Sequence, residues 1–228
     1  MYKLKFKIIM SKSLYISIIT IFVALLSLLL IKIISDFYII YKAEQTFKIL
    51  QSAYSKALER TTFKWTYDDM ETFIVARELI KDLPIKENCS FKNDDKCFPR
   101  YVNIKKPIRQ NLKKTRYSTF EHYKFMLNNN VGVALNIIHP TCKDVRNRCG
   151  IIYIDINGPD KGPNKFGEDL YDFGIYKDGI RLYDLASNHL HLCIHGTGQA
   201  CAAYMFKYKT RFYSLHKRAV RKMPAPAD

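Results

Sequence analysis

The chain has 228 residues, 48% of them hydrophobic and 14% aromatic, which excludes a disordered protein and predicts a folded domain with an accessory segment. Its formal net charge of +16, mostly lysine, favours anionic partners such as nucleic acid, lipid headgroups or an acidic protein. A solvated basic surface is the simpler reading of the same charge.

The first element sets the topology. From Ser13 to Ile31 the stretch SLYISIITIFVALLSLLLI carries no charge, and nineteen residues at about 1.5 Å each cover the roughly 30 Å of a bilayer core. Residues 13–35 are therefore predicted to form a transmembrane helix. Lys3, Lys5, Lys7 and Lys12 precede it without any acid. The positive-inside rule then makes residues 1–12 a cytoplasmic basic segment and sends the rest across the inner membrane, to the periplasm or exterior. A cleavable signal peptide would have a shorter apolar region and a small-residue cut site, whereas KIISDFYIIYKAEQ offers only Ala43. An uncleaved single-pass anchor is the expectation.

The helical pattern does not stop at the membrane. Phe37, Ile40, Tyr41, Phe47, Leu50, Tyr54 and Leu58 recur mostly every three or four residues with no glycine or proline between them. One helix is predicted from about Leu14 to Thr61, with an apolar stripe that needs a cover. A second helix is predicted from near Asp68, with acids in its first turn, to before Pro84, so that 36–83 form a helical stalk and second helix.

Residues 84–228 read as a β-rich head. HYKFMLNNNVGVALNII alternates around an Asn-rich turn and predicts a hairpin. GIIYIDI, LYDFGIYKDGIRLYDL and AAYMFKYKT read as further strands, the second with its own Asp178-Gly179 turn. The expected fold class is α+β: a long N-terminal helix packed on an antiparallel sheet. Six cysteines fall as three close pairs, Cys89 with Cys97, Cys142 with Cys149 and Cys193 with Cys201, and short local disulfides are the simplest reading. Zinc is the alternative, although no pair has the two-residue spacing of a knuckle.

This order of elements, with the stretches LQSAYSKALER, YKFMLNNNVGVAL, DINGPDKGPNKFGEDLYDF and CIHGTGQACAAYMFK, resembles the type IV pilin-like proteins, specifically the pseudopilin-like chains of type II secretion systems. The resemblance implies a structural component whose anchor helices pack laterally while the head contacts other subunits or cargo. The N-terminus departs from that family, which offers a glycine at the peptidase cut and a glutamate five residues into the mature helix. Here the first glycine is Gly132 and the first acid is Asp36. The departure implies an anchored relative without the usual processing, and it favours a second reading, a standalone anchored binding protein for DNA or another anionic ligand.

Between the strands lies DINGPDKGPNKFGED. It fails the EF-hand pattern, because with Asp155 as the first ligand the sixth position is Asp160 instead of glycine and the twelfth is Phe166 instead of an acid. Some pseudopilins hold calcium in a comparable loop. Asp155, Asn157, Asp160 and Asp169, with carbonyls made accessible by Gly158 and Gly162, offer suitable hard oxygens. The competing reading is turn chemistry, with Asp side chains capping backbone amides.

Three other groupings carry weaker signals. Asp155 and Asp169 as a catalytic acid and base would need a cleft and separated pKa values; no enzyme constellation is expected, and no small-molecule substrate. In NHLHLCIHGTG, read as a strand, His189, His191, Cys193 and His195 share one face and could bind zinc or copper, unless Cys193 is bridged to Cys201. YVNIKKPIRQNLKKTRYSTFEHYK mixes Lys105, Lys106, Arg109, Lys113, Lys114 and Arg116 with Tyr101, Tyr117, Phe120 and Tyr123, residues that could grip phosphates and stack bases. A basic loop with tyrosines packed inward is the plainer alternative.

Overall fold

The computed structural model describes residues 12–61, 72–92, 95–104, 116–143, 147–182, 193, 198–199 and 201–209. Helix α1 spans Lys12–Arg60 and divides between two compact units, Met1–Tyr38 and Ile39–Asp228. In the first unit the side chains from Leu14 to Tyr38 are almost all exposed, Ile21, Phe22, Leu25, Leu28 and Ile31 among them. A helix that is apolar on every side is stable where lipid surrounds it, and this one has the length and composition to cross a membrane.

The second unit is the head. Helix α2 (Thr72–Ile80) is followed by β1 (Ile85–Ser90), β2 (Tyr101–Asn103), β3 (Arg116–Ser118), β4 (Tyr123–Leu127), β5 (Gly132–Ile137), β6 (Arg148–Asp155), β7 (Leu170–Tyr176), β8 (Gly179–Leu182) and helix α3 (Cys201–Tyr208). Six strands form one antiparallel sheet in the order β1-β4-β5-β6-β7-β8, and β2 with β3 forms a separate ribbon. The architecture is α+β and compatible with a pilin-like fold.

Within this unit α1 buries Ile40, Ala43, Thr46, Leu50, Ala53, Tyr54 and Ala57, a stripe at helical spacing rich in small residues that let the backbone approach the sheet. Of the residues that the sequence pattern points to, Ile40, Leu50 and Tyr54 lie in this stripe, Phe37 and Tyr41 are exposed, and Phe47 lies at the edge with its ring 4.7 Å from Phe173 and 5.5 Å from Phe206. Three polar side chains of α1 donate to carbonyls at strand ends. Lys42 Nζ reaches Ile156 at 2.6 Å, Gln51 Nε2 reaches Ile180 at 2.9 Å and Tyr54 Oη reaches Tyr176 at 3.0 Å.

The sheet is buried on both faces. Phe125, Val133, Leu135, Ile152, Ile154, Phe173 and Ile175 join the core shared with α1 and α2. On the other face, Ala134, Ile151, Tyr153 and Leu170 pack with Phe98, Val102 and Phe166.

Residues 201–208 correct a sequence expectation. The alternating aromatic residues of AAYMFKYKT predict a strand, but Cys201–Tyr208 is helical and buries Cys201, Ala202, Tyr204 and Met205, a pattern of helical period. Strand β1 and the β2–β3 ribbon were not foreseen. The structure closes three disulfides, Cys89–Cys97, Cys142–Cys149 and Cys193–Cys201.

Candidate cation-binding loop

The loop from Asp155 to Leu170 joins β6 to β7, and its two ends are adjacent because Asp155 and Leu170 are paired in register. Asp155 is the last residue of β6, and Gly132 beside it in β5 has no Cβ to place there. A Cβ on Gly132 would lie 2.4 Å from the Cys97 carbonyl oxygen, so only glycine fits between that carbonyl and the strand.

Asp169 organises the loop's far side. Its Oδ1 accepts the Lys165 amide at 2.7 Å, and its Oδ2 accepts the Asn164 amide at 2.8 Å and the Asn157 side-chain amide at 3.3 Å. Asn103 in β2 fastens the same segment, accepting from the Phe166 amide at 3.1 Å and donating from its own amide to Asn164 O at 2.8 Å and from its side chain to Pro163 O at 2.8 Å. Gly158 and Asn164 sit at positive φ, +91° and +50°, as a chain that reverses twice in a few residues requires.

Asp155 is fully buried, and its Oδ1 accepts the Gly158 amide at 3.1 Å. Its Oδ2 makes no hydrogen bond among the described residues, and neither do the buried side-chain oxygens of Asn157 and Asn164. Three hard oxygens of one loop are thus buried without a protein donor, an arrangement that costs free energy unless a water molecule or a cation meets it. Burial first, and the facing Asp169 second, push the Asp155 carboxyl up to about 8, opposed by the backbone amides of Gly158 and Asn157 and by Lys42. Burial also raises Asp169, against the amides of Lys165 and Asn164.

An oxygen-only donor set with unsatisfied carboxylate and amide oxygens fits a hard divalent cation such as calcium. Asp155, Asn157 and Asn164 are the residues that would hold it, with Asp169 shaping the loop. Asp160 is exposed, and Asn164 joins the residues that the sequence singles out. The turn chemistry is present too: the capping by Asp169 and Asp155 is what brings the unsatisfied oxygens to the interior.

The remaining candidates fare as follows. Cys193 is buried and bridged to Cys201, so it offers no thiolate, and His189, His191 and His195 lie outside the described residues. Lys105, Lys106, Arg109, Lys113 and Lys114 also lie outside them, as do the side chains of Arg116 and Tyr117. Of the accompanying aromatics, Tyr101 and Phe120 are exposed and meet edge to face at 5.3 Å, whereas Tyr123 is buried against Phe73 and Phe91.

A second buried polar group escaped the sequence reading. Lys124, Ala134, Tyr153 and Asp172 are opposite one another across β4, β5, β6 and β7 on the face away from α1. Asp172 is fully buried, and burial drives its pKa well up against the pull of its own backbone amide and of Arg148. His122 stacks on Tyr153 at 5.2 Å, and burial together with Lys124 lowers its pKa to about 4. Alternation in a strand buried on both faces puts polar residues indoors, a situation that no local pattern announces.

Comparison with protein-family models, curated proteins and solved structures gives no match for this chain.

Proposed function

We propose that this chain is a pseudopilin-like structural component of a type II secretion or type IV pilus-like machine, anchored in the inner membrane by α1 with its head on the extracytoplasmic side. One observation carries the reading. A single helix is apolar and exposed up to about Tyr38, and from Ile40 it buries a small-residue stripe in a six-stranded antiparallel head. That combination gives one element two uses, lateral packing among anchors in lipid and support of a folded head outside it. The three disulfides agree with an oxidising compartment for the head. The acidic loop adds calcium as the head's stabilising ion.

The test is intact mass and N-terminal sequencing of the protein taken from membranes, with crosslinking in the same sample. Crosslinked multimers containing this chain support the assembling component. A full-length chain that gives no crosslinked ladder overturns assembly and favours the second reading, an anchored binding protein for an anionic ligand such as DNA. The exposed Tyr101–Phe120 pair at the ends of the ribbon strands favours that second reading.

A further inference from the structure

The acidic loop is backed by Gly198 and by Cys201, the half-cystine bridged to Cys193. Gly167 sits at φ +80°, and a Cβ built on it would lie 2.6 Å from Cys201 Sγ and 3.5 Å from the Gly198 carbonyl oxygen. Gly198 sits at φ +92°, and its Cβ would lie 2.4 Å from the Phe166 carbonyl oxygen. Each segment thus presents bare backbone to the other at the closest point, and a side chain on either side would force them apart. The Cys201 amide donates to Gly198 O at 3.1 Å, which draws the half-cystine onto its own turn.

The loop residues at this contact, Phe166 and Gly167, adjoin the amides that hold the Asp169 carboxylate. Phe166 and Gly167 lie between Lys165, whose amide binds Asp169 Oδ1, and Asp169 itself, and the Gly167 amide closes the turn on Leu170 O at 2.9 Å. Opening of this turn would release Asp169 from the amides of Asn164 and Lys165 and free the oxygens that the loop holds inside. A covalent bridge behind it removes many of the open conformations available to the turn. The Cys142–Cys149 bridge provides a contrast, since its Cys142 borders the cleft lined by Thr141, Asn147, Tyr176 and Arg181 instead.

We propose that the Cys193–Cys201 disulfide positions the acidic loop, so that removing this bridge weakens the loop's affinity for a divalent cation. The inference rests on the reading of the loop as a cation site. The bridge binds no ion itself; it acts through Gly198 and Gly167 on the Asp169 turn.

The experiment uses the full chain in detergent, titrated with calcium and followed by melting temperature, with hydrogen exchange of the Asn164 and Lys165 amides in the same samples. The variants are Cys193→Ser with Cys201→Ser, Cys142→Ser with Cys149→Ser as the control bridge, and Gly198→Ala, which keeps every bridge and presses on Phe166. The expected result is calcium affinity about 10-fold weaker in the first variant and weaker also in Gly198→Ala, with the control unchanged. Equal affinity in the wild type and the first variant overturns the coupling, and so does an equal loss in the control. If the first variant does not fold, Gly198→Ala decides in its place. A wild type without any calcium response brings down the cation reading itself. Exchange then separates the two: faster exchange at Asn164 and Lys165 in the first variant without calcium keeps the positioning role, and unchanged exchange ends it.

Discussion

Lys42 Nζ donates to the carbonyl oxygen of Ile156 at 2.6 Å and so ties α1 to the residue that follows Asp155. The contact joins the helical part of the head to its acidic loop, and the positive charge lowers the proton affinity of the buried Asp155. Burial works the other way on Lys42 itself, depressing its pKa, with Asp155 opposing that change.

Lys42→Met keeps the length and apolar stem of the side chain while removing the donor and the charge. It is expected to destabilise the head by about 1.5 to 3 kcal/mol, the worth of a charged hydrogen bond, and to raise the Asp155 pKa further. Chemical denaturation and carboxyl-carbon titration measure the two effects. An unchanged Asp155 titration would show that the lysine charge does not reach the loop.

Gly132→Ala is expected to be more damaging than a surface glycine substitution. Its Cβ would meet the Cys97 carbonyl oxygen at 2.4 Å, whereas nothing lies within 4 Å of a Cβ at Gly162. A loss of about 1 to 3 kcal/mol follows for Gly132→Ala from overpacking, with Gly162→Ala close to neutral. Thermal unfolding of the two variants side by side tests the difference, and equal melting temperatures would contradict the tight approach of the disulfide segment to β5.

These relationships differ in how far the sequence discloses them. The long helix, the hairpin around Asn128–Asn130 and the bridge pairs depend on local pattern, and local pattern is what a sequence displays. Helix α3 was misread because Tyr204, Phe206 and Tyr208 alternate like strand residues, while its burial follows Cys201, Ala202, Tyr204 and Met205. Strand β1 carries IKENCS with only Cys89 buried, so an edge strand looked like a polar loop. The acidic loop is legible as a cluster of oxygen-bearing side chains, whereas the burial of the Asn164 oxygen and the exposure of Asp160 depend on how the chain reverses. Asp172, Lys124 and His122 were invisible, because nothing local says that the second face of the sheet is covered.

That covered face gives the head an acid-side limit. The His122 pKa is lowered by burial to about 4, so its contribution to stability is fully present above the ordinary histidine value near 6.5 and is lost as pH falls toward 4. His122→Phe keeps a ring against Tyr153 without the titration. The expected outcome is that wild-type stability falls between pH 6.5 and 4 by at most about 1.4 kcal/mol per pH unit more than that of the variant. Asp172 acts in the opposite sense, since its raised pKa contributes stability that is present at low pH and lost as pH rises. Asp172→Asn should therefore stabilise the head on the alkaline side. Parallel pH profiles of both variants with the wild type's slope would remove these residues from the account.

The acidic loop gives the last expectation, because a cation bound there would compete with protons for the same oxygens. Without an ion, the raised Asp155 pKa contributes stability that is full below about 4 and is lost as pH rises to about 8. A bound cation requires the carboxylate, so binding releases a proton over that window and calcium affinity should increase with pH until about 8. Calcium at about 100 times its Kd would then stabilise the wild type by about 2.7 kcal/mol. Asp155→Asn is expected to lose both the calcium response and the alkaline loss of stability, since the amide neither titrates nor balances the ion's charge. Melting temperatures at pH 6 and pH 8, with and without millimolar calcium, decide the matter. A wild type that responds identically at both pH values would separate the ion from Asp155, and a calcium shift retained in Asp155→Asn would move the site away from the loop.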